Sequence, residues 1–160
     1  MKYLVLLILV AFSIPVFAQT PIRKVRIEEL EAYILKADHP LIVNFWATYC
    51  SPCVHEIPYF EKNVTTHRDK RVELILVSLD LPSYYPAQIE GFVRRNNYQS
   101  PVWWLNESNA DYFCPKIDSS WSGGIPSTLF INNKTHYRKF YERQLTELQL
   151  IKSLDDLLKQ

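Results

Sequence analysis

The sequence predicts an α/β fold in which a central mixed β-sheet is covered by helices on both faces. Three observations predict it. Two stretches, Leu41–Trp46 and residues 71–79, are nearly continuous apolar runs rich in β-branched residues, as strands buried on both faces must be. Segments of helical period separate these runs from each other and from shorter strand-like stretches, the alternation expected of strand-helix-strand units. An Asn132-Asn133-Lys134 turn signal and a final helical pattern add an antiparallel hairpin and a closing helix.

Taken in order, residues 19–24 read as a short lead-in. Residues 26–36 carry Ile27, Leu30, Tyr33 and Ile34 near helical spacing and predict an amphipathic helix. Pro40 ends that segment and leaves His39 in an exposed turn. Leu41–Trp46 suits a central strand, in which Asn44 is a buried polar group that needs partners. A helix from Cys50 to about His67 follows, with Pro58 as an interior kink. Residues 71–79 form the second strand and residues 80–86 a loop. Ala87–Arg95 is a helix with Ile89, Phe92 and Val93 inward, and Val102–Leu105 is a short strand. Residues 109–117 give a weak helix broken at Cys114-Pro115. Residues 119–124 lead to Pro126 and a strand over 127–131, whose return is Tyr137–Tyr141. Residues 146–158 close the chain as a helix with Leu148, Ile151, Leu154 and Leu158 as its apolar stripe.

A chain of 160 residues, 48% hydrophobic and 14% aromatic, fills one core and not two, so one domain is expected. Lys2 precedes an apolar run to Phe17, and Val16-Phe17-Ala18 gives a small-x-small cleavage pattern. Residues 1–18 therefore read as a secretory signal peptide, leaving 19–160 as the domain. About 15 apolar residues fall short of the roughly 20 that a spanning helix needs, which sets an uncleaved membrane anchor second. Removing Lys2 leaves 17 basic and 17 acidic side chains. That balance gives no electrostatic basis for binding nucleic acid.

The chemistry-bearing motif is Cys50-Ser51-Pro52-Cys53, placed where an apolar strand hands over to a helix. Pro52 suits the first helical turn, because its missing N–H has no intrahelical partner there. Cys50 then lies at the helix N-terminus, where unpaired N–H groups and the helix dipole favour a thiolate. Cys50 is thus read as the attacking nucleophile and Cys53, one turn deeper, as the resolving thiol. Haem attachment would need His after the second cysteine, and Val54 stands there. A structural zinc site would need further ligand pairs that the chain lacks, so no metal is assigned.

Two segments carry a family resemblance. Phe45-Trp46-Ala47-x-x-Cys50-x-Pro52-Cys53 resembles the active-site signature of the thioredoxin superfamily, and residues 124–131, Gly-Ile-Pro-Ser-Thr-Leu-Phe-Ile, resemble its cis-proline segment. Asn44 and Glu56-Ile57-Pro58 are most similar to the TlpA/ResA-like branch of exported thiol-disulfide oxidoreductases. The resemblance implies a thioredoxin-like three-layer sandwich, a redox-active Cys50–Cys53 disulfide and a cis bond before Pro126. It also implies that Ile125 offers its backbone to an extended substrate. Trp46, Tyr49 and Trp121 are candidates for lining the same groove, with core packing as the plain alternative.

Glu56 lies one helical turn after Cys53, and in the resembled branch an acid there handles protons; the alternative is an exposed acid favoured by the helix dipole. Cys114 reads as a small buried hydrophobe and His55 as a solvent-facing residue. The implied partners are disulfide-containing exported proteins, apocytochrome c among them, and a membrane dithiol electron donor in a periplasmic setting. No small-molecule cofactor is implied. Net oxidation or isomerisation is the competing direction, since only the reduction potential sets it. A metal-delivery or docking module and a peroxidase of the related peroxiredoxin branch are the competing classes.

Overall fold

A computed structural model describes residues 21–159. The reading of residues 1–18 as a signal peptide lies outside the described residues. Six strands and five α-helices follow in chain order as β1 (Arg23–Val25), α1 (Ile27–Lys36), β2 (Leu41–Trp46), α2 (Ser51–Thr66), β3 (Glu73–Ser78), α3 (Ala87–Arg95), β4 (Val102–Leu105), α4 (Ala110–Ile117), β5 (Ser127–Asn132), β6 (Tyr137–Tyr141) and α5 (Glu147–Leu158). The sheet order is β1-β4-β3-β2-β5-β6. β1, β4, β3 and β2 run parallel, whereas β5 is antiparallel to β2 and to β6. The sheet is therefore mixed, as the sequence predicts.

Strand alternation sorts the core into two layers. Along β2, Leu41, Val43 and Phe45 join Leu30, Ile34, Phe113 and Ile117 from α1 and α4. Ile42 and Trp46 face the other way, toward Ile57, Phe60, Ile89, Leu150 and Leu154 from α2, α3 and α5. Every β2 residue is buried, as befits a strand with neighbours on both edges and helices on both faces.

Several expectations are corrected. The lead-in contains strand β1, which pairs with β4 and was too short to show a period. His39 is not in an open turn: it is half-buried, with Nδ1 3.0 Å from Asp38 and Nε2 2.6 Å from Glu73. α4 runs unbroken through Pro115, which lies on the exposed face of the helix, away from the packed side chains of Phe113, Cys114 and Ile117. In α5 the buried face is Leu150, Ser153, Leu154 and Leu157, while Leu148 is 80% exposed. Apolar residues surround most of this helix, so the sequence period admits two phases. Docking selects one, with the Tyr141 and Ser153 hydroxyls 2.9 Å apart.

That phase is directly testable. Leu154→Ala is expected to cost about 2–5 kcal/mol of stability, as buried leucine truncations do. Leu148→Ala should stay within about 0.5 kcal/mol of the parent. Urea unfolding of the two variants checks the assignment, and equal losses would overturn it.

Candidate active site

The site forms where β2 and β3 end and α2 begins. Cys50 is the N-cap residue of α2, in extended conformation, with Ser51 and Pro52 filling the first helical positions. Cys50 and Cys53 are disulfide-bonded, with Cα atoms 5.3 Å apart. The Cys53 N–H donates to Cys50 Sγ at 3.3 Å. One of the orphan donors of the helix start is therefore aimed at the sulfur expected to carry charge. Cys50 keeps 7% exposure and Cys53 none, so an incoming group meets Cys50 first.

The loop that delivers Cys50 is held from below. The Cys50 N–H donates to Ala47 O at 3.0 Å. Asp80, buried just beyond β3, accepts from the Thr48 N–H at 3.1 Å through both carboxyl oxygens. Asp80 also accepts from the Thr48 hydroxyl at 2.6 Å and the Ser78 hydroxyl at 2.7 Å. Trp104 Nε1 donates to the Asp80 carbonyl at 2.8 Å and fixes that residue to β4. Sequence reading missed Asp80. Its available signal was a Ser-x-Asp break directly after an apolar strand.

Glu56 is fully buried, one turn beyond Cys53 on the same face of α2. The exposed-acid alternative is thereby excluded. Its Oε1 accepts from the Asn44 amide at 2.9 Å and its Oε2 from the Leu145 N–H at 2.7 Å. Burial pushes its carboxyl up to about 7, although the Leu145 and Asn44 donors oppose the shift. Asn44 also donates to Thr128 Oγ1 at 2.9 Å, while its own Oδ1 finds no donor among the described residues.

The Ile125–Pro126 peptide bond is cis, as is Tyr85–Pro86, which the sequence did not suggest. Pro126 is buried and Ile125 half-buried. The N–H and C=O of Ile125 make no hydrogen bond to the described residues. Of the three aromatic groove candidates, only Tyr49 reaches the surface, at 61% exposure. It lines a cleft of about 300 Å³ with Thr48, Ser51, Val54, His55 and Phe92. Trp46 is fully buried against Phe92 and Tyr98, and Trp121 packs on Phe45, Phe113 and Phe140. Both tryptophans support the site as core, because alternation along β2 and the sheet-covering loop turn them inward. Cys114 is a free buried thiol in the layer of α1 and α4, and burial raises it to about 11. Among the described residues, no group of three His, Cys, Asp or Glu side chains could hold a metal ion.

Comparison with known proteins places this geometry. The AhpC/TSA family model matches residues 11–139. The chain belongs to the AhpC/TSA family. Within this thioredoxin-like family, it is 29% identical over 119 residues to thiol-disulfide oxidoreductase ResA of Halalkalibacterium halodurans. That match covers 74% of this chain and 62% of the relative, so the chain spans about three-fifths of the relative's length. A thioredoxin-related protein from Neisseria meningitidis serogroup B superposes with a TM-score of 0.63 at 25% identity, covering 76% of this chain and 86% of that one. StoA from Bacillus subtilis shares the fold at a TM-score of 0.54 and 23% identity, covering 74% and 84%. The thioredoxin-like architecture read from the sequence is the fold of these two solved structures.

Proposed function

We propose that this AhpC/TSA-family chain is an exported thiol-disulfide oxidoreductase that reduces disulfides of other exported proteins. The observation that carries the reading is the Cys50–Cys53 disulfide, capped on the α2 N-terminus with Cys50 as its more exposed sulfur. Similarity to the ResA relative supports the activity class. The leader pattern of residues 1–18 supports export, and among the described residues no helix is long and apolar enough to cross a membrane.

In the forward cycle the dithiol form acts. The Cys50 thiolate attacks one sulfur of a substrate disulfide, and the other substrate sulfur departs as a thiolate that takes up a proton. Cys53 then loses its proton and attacks Cys50 Sγ, which releases the second substrate sulfur as a thiolate that is protonated from solvent and leaves the enzyme disulfide. Two electrons and two protons reach the substrate. Cys53 is shut off from water, so its proton goes to Glu56, a carboxylate whose raised pKa suits exchange near neutral pH. A membrane dithiol donor restores Cys50 and Cys53, and oxidised apocytochrome c fits the substrate class.

Trapping tests this reading. Cys53→Ser should accumulate mixed disulfides through Cys50 in cells, and a Cys50→Ser/Cys53→Ser double variant should accumulate none. Mass spectrometry of the adducts names substrate and donor. Recovery of no covalent partner, with peroxide consumed instead, would replace the reductase by a peroxidase.

A further inference from the structure

Glu142 stands outside the thiol chemistry, directly after β6, yet its side chain is bonded entirely to the loop that precedes Pro126. Its Oε1 accepts from the Gly124 N–H at 2.6 Å and from the Ser122 hydroxyl at 2.5 Å. Its Oε2 accepts from the Ser122 N–H at 2.9 Å. Burial alone would raise this carboxyl, but the Ser122 hydroxyl and the Ser122 and Gly124 N–H groups outweigh it and hold it below its ordinary value.

Gly124 completes the clamp. A Cβ at this position would lie 2.8 Å from Glu142 Oε1, so the carboxylate occupies the space a side chain would need. The carbonyl of Gly124 accepts from Trp121 Nε1 at 2.9 Å and from the Ser127 hydroxyl at 2.8 Å. Both polar ends of Gly124 are therefore tied down by the protein. The next residue, Ile125, has its N–H and C=O unpaired among the described residues.

We infer that Glu142 is a positioning residue for substrate: by fixing Gly124 it presents the Ile125 backbone, already ordered, to an extended peptide strand of the disulfide-bearing protein. The inference rests on the oxidoreductase reading above. Ordering a free backbone on binding costs conformational entropy, and a loop fixed beforehand avoids that loss. Cys50 is delivered by another loop, held by Asp80. Loss of the Glu142 clamp therefore weakens peptide binding and spares the sulfur chemistry.

The experiment compares two substrates in single turnovers of protein reduced beforehand and freed of excess thiol, with KM and kcat read as the half-saturating concentration and the limiting rate. One is an extended peptide with a disulfide; the other is the small aromatic disulfide 5,5′-dithiobis(2-nitrobenzoate), which offers no peptide backbone. Glu142→Ala should raise KM for the peptide about tenfold with kcat within about twofold, and leave the aromatic disulfide unaffected. Glu142→Gln, which keeps one acceptor oxygen, should recover part of the peptide KM. If Glu142→Ala does not fold, Gly124→Ala applies the same test by pushing the carboxylate aside. An unchanged peptide KM, or equal losses on both substrates, overturns the inference. A parent protein that reduces neither substrate overturns the oxidoreductase reading itself.

Discussion

Cys50→Ser is expected to lower disulfide reduction at least about 10³-fold, because a serine hydroxyl at neutral pH supplies almost none of the anionic nucleophile that a helix-capped thiol does. The loss should appear with every disulfide substrate, since it removes the attacking atom. The fold should survive, because Cys50 is a single member, still 7% exposed, of a core layer built otherwise from side chains of the strands and helices. The measurement is turnover of a peptide disulfide beside a circular dichroism melt. Retained turnover in a folded variant would show that Cys53 or Cys114 attacks instead, and the assignment of roles would be lost.

Glu56→Gln should slow the resolving step on the order of 10²-fold, the usual scale for one general base. The effect belongs to release of the mixed disulfide, so rapid-quench experiments should show the Cys50 adduct forming normally and decaying slowly. The same carboxyl makes a stability prediction whose sign follows from linkage. In the folded chain its pKa is about 7 against an ordinary 4.5, so between these values the native state holds a proton that the unfolded chain has released. Stability contributed by that proton is complete below about pH 4.5, falls as pH rises toward 7, and is flat above. The total is about 3 kcal/mol at 1.36 kcal/mol per pKa unit. Glu56→Gln should flatten the decline in urea unfolding measured at pH 5, 6, 7 and 8. An identical slope in parent and variant would mean that Glu56 titrates as a surface acid, and the proton-acceptor role would go with it.

Asn44 links the two observations. Its amide donates to Glu56 and to Thr128, and both groups are buried. A donor at this point favours the ionised carboxyl and tempers the cost of burial. The sequence showed a polar residue interrupting a central strand and required partners for it; the partners themselves come from α2 and β5, 12 and 84 residues further along the chain.

Local patterns in the sequence determined a good deal. The Cys-x-Pro-Cys spacing at a strand-to-helix junction placed Cys50 as helix cap, and the apolar runs marked β2 and β3. The Asn-Asn-Lys turn marked the β5–β6 hairpin. Each signal sits within one element, where spacing and residue type act directly on the backbone. Other features depended on contacts between distant segments, and only the tertiary structure decided them. β1 exists because β4 offers it an edge, and α5 turns Leu150 rather than Leu148 inward because of where it docks. Trp46 and Trp121 fall inside because strand alternation and the loop's path assign them to the core. Asp80 and Glu142 act by accepting N–H groups 32 and 18 residues before them in the chain. A carboxylate that clamps a remote loop leaves no periodic or compositional mark, since its partners are backbone amides that every residue but proline carries.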